Sequence, residues 1–94
     1  MITSQDNNIE NLLGSRAKIK ILKTLATNNE LSITQIIRNT RLNHSSVITH
    51  LNHLKILNLV QEKKFGRIRI FRYKNENLKA KSLKKFIEIW EGEY

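Results

Sequence analysis

Asn43, His44, Ser45, Ser46, Thr49, His50, Asn52 and His53 place eight short hydrogen-bonding groups between Leu42 and Leu54, with no carboxylate among them. Within the same stretch Val47, Leu51 and Leu54 recur at helical spacing, within about 60° of one another on a wheel of roughly 100° per residue. Asn43 is a good N-cap, because its side chain can accept a bond from an orphan amide of the first turn. Ser45, Ser46, Thr49, Asn52 and His53 then fall opposite the apolar stripe. An ordinary solvated helix face would usually carry Glu and Lys there. A face meant to lie against base edges and phosphates needs short donors and acceptors without negative charge.

Other chemistry is poorly represented. The chain has no cysteine, which removes disulfides and thiolate ligands and suits a cytoplasmic protein. His50 and His53 sit at i, i+3 and could touch one ion, but no acid stands nearby to complete a site. No metal and no cofactor are therefore expected. There is no carboxylate pair in a plausible pocket, no nucleophile beside a base and no phosphate-binding loop, so an enzyme is not expected.

The charge pattern sharpens the polyanion reading. The 94 residues carry a net +9. Residues 1–10 hold only Asp6 and Glu10, and residues 86–94 only Glu88, Glu91 and Glu93. All 17 Lys and Arg lie between them, against Glu30, Glu62 and Glu76. A basic body with acidic ends predicts a nucleic-acid partner, most simply double-stranded DNA, with the termini turned away from it. No apolar run approaches the ~18 residues of a membrane span, and no signal-peptide pattern is seen, so no membrane partner is expected.

The elements that must position these groups can be read from caps and periodicity. Residues 1–8 are polar and expected to be flexible. A first helix is expected over 9–27, with Ser15 as a cap and Ala17, Ile21, Leu22 and Leu25 as its buried stripe. Ile19 falls off that stripe and could face a second chain. Leu31 lies in an extended connector. A brief helix follows from Ser32 or Thr34, with Ile33, Ile36 and Ile37 inward and Arg38 outward. Asn39, Thr40 and Arg41 form a turn, and Leu42 plugs it. With the helix described above, residues 33–57 make a helix-turn-helix. Residues 59–74 then read as a β-hairpin joined at Phe65-Gly66. It carries Lys63, Lys64, Arg67, Arg69, Arg72 and Lys74 against one acid, Glu62. Edge protection would explain some of that charge; a wing gripping DNA, with Lys63, Lys64, Arg67 and Arg69 as contacts, explains all of it. Asn77 caps a terminal helix over 77–92, whose stripe Leu83, Phe86, Ile87 and Trp90 is large for so short a chain. It could pack on the chain's own first helix. Burial against a second copy, together with Ile9, Leu12 and Leu13, is the preferred reading.

This order of elements, mostly helical α+β, resembles the winged helix-turn-helix. Gly14-Ser15-Arg16-Ala17-Lys18-Ile19-Lys20-Ile21-Leu22 resembles the opening of ArsR-type regulators. Residues 42–54 resemble their recognition helix, and Leu57-Asn58-Leu59-Val60 with Gly66–Tyr73 their helix exit and wing. The likeness covers about residues 12–75. The pattern is also shared by MarR-like, PadR-like and archaeal winged-helix proteins. It implies that His44, Ser45, Ser46 and Thr49 occupy base-facing positions. Thr49 stands where many relatives carry Arg, and the cysteine motif of metal-sensing members is absent. The expected function is thus a homodimeric, sequence-specific double-stranded DNA-binding regulator, cytoplasmic and associated with the nucleoid. A plasmid-partition or DNA-organising adaptor that spreads along DNA is the alternative on the same fold. A winged helix used for protein interaction would want an apolar or acidic recognition face, which this chain lacks. No separate inducer domain is expected in 94 residues, so control is expected from occupancy or a further partner.

Overall fold

Side-chain caps begin the longer helices and fix where the chain turns. The computed structural model describes residues 9–92; the expectation for residues 1–8 lies outside them. Among the described residues the order is α1 Ile9–Leu13, α2 Arg16–Asn28, β1 Glu30–Ser32, α3 Ile33–Thr40, α4 His44–Ile56, β2 Val60–Phe65, β3 Ile68–Tyr73 and α5 Leu78–Glu91. Ser15 accepts from the Lys18 amide at 3.2 Å, Asn43 from that of Ser46 at 2.8 Å and Asn77 from that of Ala80 at 3.0 Å. At α3, Ser32 and Gln35 bond reciprocally, at 3.2 and 2.9 Å, as a capping box. Each cap satisfies amides that the first helical turn leaves without partners.

The expected first helix over 9–27 is in fact two. The Gly14 amide donates to the Glu10 carbonyl at 2.7 Å, and a Cβ at Gly14 would stand 2.6 Å from that oxygen. The chain closes tightly there and Ser15 restarts it in extended geometry. Ile19 packs half-buried against the core. The connector around Leu31 is a strand, β1, antiparallel to β3 with Leu31 opposite Phe71. The sheet therefore has three strands in the order β1-β3-β2.

The helix-turn-helix also differs at its turn. Asn39 and Thr40 still belong to α3, and Arg41 ends it in the left-handed region with φ 61°. Thr40 is fully buried; its hydroxyl donates to the Ile36 carbonyl at 2.7 Å, which lets the helix run on with the polar group satisfied. The hairpin closes one residue later than expected, because Phe65 pairs with Ile68 and leaves Gly66-Arg67 as the loop. Gly66 has φ 62° at the first loop position, where a primed turn favours glycine.

One core joins these parts. Ile21, Leu22 and Leu25 of α2, Ile36 of α3 and Val47, Leu51 and Leu54 of α4 are fully buried with Phe71, Tyr73 and Ala80. The Tyr73 hydroxyl donates to the Ala80 carbonyl at 2.5 Å and fastens α5 to the sheet. Burial pushes that phenol up to about 12. Lys23 and Glu91, 2.6 Å apart, tie the far end of α5 to α2.

The stripe expected along α5 is divided. Leu83 and Ile87 are half-buried, whereas Phe86 and Trp90 are exposed, with ring centroids 5.8 Å apart. Ile89, outside that stripe, is exposed as well.

Candidate nucleic-acid interface

With Val47, Leu51 and Leu54 spent on the core, α4 presents its other side to solvent. Ser45, Thr49 and Asn52, spaced i, i+4, i+7, are exposed along one line, and His44 is exposed at the first turn. Ser46, His50 and His53 form a half-buried flank. Asn43 serves the cap, and its carboxamide oxygen also receives the Ser45 hydroxyl at 3.1 Å. Ile56, an apolar residue, continues the exposed line at its last turn.

His50 illustrates the electrostatics of that flank. Partial burial, then the nearby Lys18 ammonium and His53, hold its pKa below the ordinary 6.5. The imidazole is therefore biased to its neutral form, able to donate from one nitrogen and accept at the other. Among the described residues no group of three His, Cys, Asp or Glu could hold a metal ion.

The wing divides its charges. Glu62 on β2 is bridged by Arg69 of β3, through Nε and through Nη2 at 3.2 Å, and by Lys55 of α4 at 2.7 Å. These cations hold the Glu62 carboxyl at about 2. Arg69 also lies over the Phe71 ring, 5.5 Å from its centroid. Lys63 meets Glu30 at 3.0 Å, and Arg72 meets Glu76 at 2.7 Å and Gln61 at 2.6 Å. Arg69 and Lys63, expected as DNA contacts, are thus engaged with carboxylates of the fold. Strand pairing is the reason: it brings Arg69 of β3 beside Glu62 of β2, and it sets Glu30 of β1 within reach of Lys63 across β3.

Lys64 and Arg67 remain exposed at the wing tip with no acidic partner among the described residues. The same is true of Arg38 and Arg41 at the turn before α4. Those two arginines were missed as site residues. The signal available in the sequence was their charge beside the turn that precedes the Asn43 cap.

An uncharged polar helix face, a basic turn before it and a basic hairpin tip after it define a winged helix-turn-helix DNA-binding protein. The family model of the bacterial regulatory proteins of the arsR family matches residues 15–62. The chain belongs to that family and is a DNA-binding transcriptional regulator. No curated protein matches its sequence. Among solved structures it is similar to HlyU of Vibrio cholerae, at 19% identity and a TM-score of 0.76, covering 88% of this chain and 87% of that one. It is similar also to the transcriptional regulator HlyU of Vibrio vulnificus, at 22% identity and TM-score 0.75, with coverages of 88% and 83%. The transcriptional repressor PagR of Bacillus anthracis matches at 21% identity and TM-score 0.70, over 87% and 93% of the two chains. At these identities the likeness speaks for the fold.

Proposed function

We propose that this chain reads a specific double-stranded DNA sequence as a homodimer in the cytoplasm. The carrying observation is the exposed face of α4, where Ser45, Thr49 and Asn52 align with no carboxylate anywhere on the helix. Such a face suits the floor of the major groove, where hydrogen bonds to base edges carry the specificity. Arg38, Arg41, Lys64 and Arg67 flank it as phosphate contacts.

Dimerisation is supported by a second, apolar surface. Between α1 and α5 runs an apolar groove of about 620 Å³, lined by Ile9, Leu12, Leu13, Leu78, Leu83 and Phe86. Leu78 and Trp90 are 77% and 76% exposed, a costly display of large apolar side chains unless a second copy covers them. Two-fold association there leaves both α4 faces free. It sets two recognition helices about 34 Å apart, one turn of duplex, on a palindromic site.

Footprinting on the genomic DNA that flanks the coding sequence tests this reading. One protected, palindromic segment is the expected result. Protection that spreads far beyond one segment would identify a DNA-organising adaptor, and no protection would overturn the reading.

A further inference from the structure

Phe65 and Ile68 face each other at the last register position of the hairpin, and they are 60% and 57% exposed. Directly opposed residues share one face of a strand pair. The alternation along β2 and β3 puts this pair on the face opposite Val60, Phe71 and Tyr73, which are buried. Neither side chain can reach the core. A solvent-exposed edge hairpin ordinarily carries charge or polar groups at such positions, so folding does not account for the pair.

Charge at the tip indicates what does. Farther down the hairpin, Lys63, Arg69 and Arg72 are matched by Glu30, Glu62 and Glu76. Lys64, next to Phe65, and Arg67, in the loop next to Ile68, have no acidic partner among the described residues. The hairpin is thus compensated at its base and both cationic and apolar at its end. Two residues are too few for a protein interface, which takes about 800 Å² from each partner. They match the tip that DNA-bending proteins put into the minor groove, an apolar wedge between base pairs with cations for the phosphates on either side.

We propose that Phe65 is a specificity-determining wedge that enters the minor groove beside the site read by α4 and partly unstacks one base step. Ile68 backs the ring, and Lys64 and Arg67 hold the phosphates across the groove. The duplex bends at that step. Flexible pyrimidine–purine steps are favoured there, although no base edge is hydrogen-bonded. This inference rests on the DNA-binding reading above.

The experiment measures bending separately from binding. A duplex cut from the footprinted segment carries a donor and an acceptor dye at its ends, with 2-aminopurine at the flanking step. The wild-type protein should bring the ends together and brighten the 2-aminopurine. Phe65→Ala should lose roughly tenfold in affinity, the scale of one lost aromatic–base stack. At saturation it should leave the duplex straight and the probe dim. Phe65→Leu should restore the bend. Arg67→Ala should weaken binding and flatten the salt dependence, yet still bend the DNA once bound. A wild-type complex with straight DNA, or a Phe65→Ala complex that bends it equally, would overturn the wedge while leaving DNA binding intact. Failure of the wild type to bind any flanking segment would remove both readings. If instead Phe65→Ala abolished co-sedimentation with phosphatidylglycerol vesicles and left the bend unchanged, the tip would be a lipid anchor and the wedge would be excluded.

Discussion

Arg69 and Glu62 meet diagonally across β3 and β2, and Lys55 reaches the same carboxylate from the last turn of α4. Three elements are thereby clamped at one side chain that is only 8% exposed. The clamp joins the C-terminal turn of α4 to both strands of the hairpin. Part of the hairpin's dense positive charge is thus matched by carboxylates within the fold.

Glu62→Gln should show this in its pH dependence. The carboxyl titrates at about 2 in the folded chain against an ordinary 4.5. Its stabilisation is therefore complete above about 4.5 and is lost as the pH falls toward 2. At neutral pH the variant should be less stable by roughly 1–3 kcal/mol, the scale of hydrogen bonds to a charged group. The two proteins should converge in acid-range melting curves. Curves that stay parallel from neutral pH down to pH 2 would show that the clamp contributes nothing.

Reading and gripping separate by mutation. Thr49→Ala and Asn52→Ala should reduce affinity for the footprinted site by about 1–3 kcal/mol for each lost base contact. They should leave binding to unrelated DNA nearly unchanged. Arg41→Ala should weaken both alike and reduce the salt slope of log K by about 0.9 for its phosphate. Titrations at several salt concentrations decide it. Equal behaviour of the two kinds of variant would contradict the assignment of helix and turn.

The parts legible in the sequence are those governed by local rules. The caps at Ser15, Asn43 and Asn77, the buried stripe of α4 and the hairpin all follow from spacing and side-chain chemistry within a few residues. What stayed hidden depends on residues far apart in the chain. Glu30 lies 33 positions from Lys63, and only the pairing of β1 with β3 and of β2 with β3 brings them together. β1 itself is too short to show a period. The break at Gly14 was hidden for another reason. The apolar pattern continues through it, and only the close approach of the Glu10 carbonyl reveals that no side chain fits.

Gly14→Ala therefore tests how α1 is held. The new methyl meets a backbone oxygen, which cannot rotate away as a side chain could. α1 must shift on α2, at a cost of about 1–3 kcal/mol as for other overpacked sites. The shift carries Ile9, Leu12 and Leu13 out of line with α5. Thermal melts and sedimentation should report a lower melting temperature together with weaker self-association. A variant as stable and as associated as the wild type would show that the tight turn is dispensable.

Trp90 and Phe86 carry the final test, because their rings stack loosely in the open at 5.8 Å. In a lone chain Trp90→Ala removes an exposed ring and should change the melting temperature little. In a symmetric dimer each copy buries that ring against α1 and α5 of the other. The substitution should then weaken association by about 3 kcal/mol or more for each ring lost from a packed interface. Dissociation and loss of DNA affinity should appear at the same protein concentrations, since a monomer holds half of a palindromic site. Sedimentation in parallel with DNA titration measures both. A wild type that is monomeric at micromolar concentration, or a Trp90→Ala protein that remains a tight dimer, would place the association elsewhere on the molecule. Either result would leave the groove between α1 and α5 without a second copy to fill it.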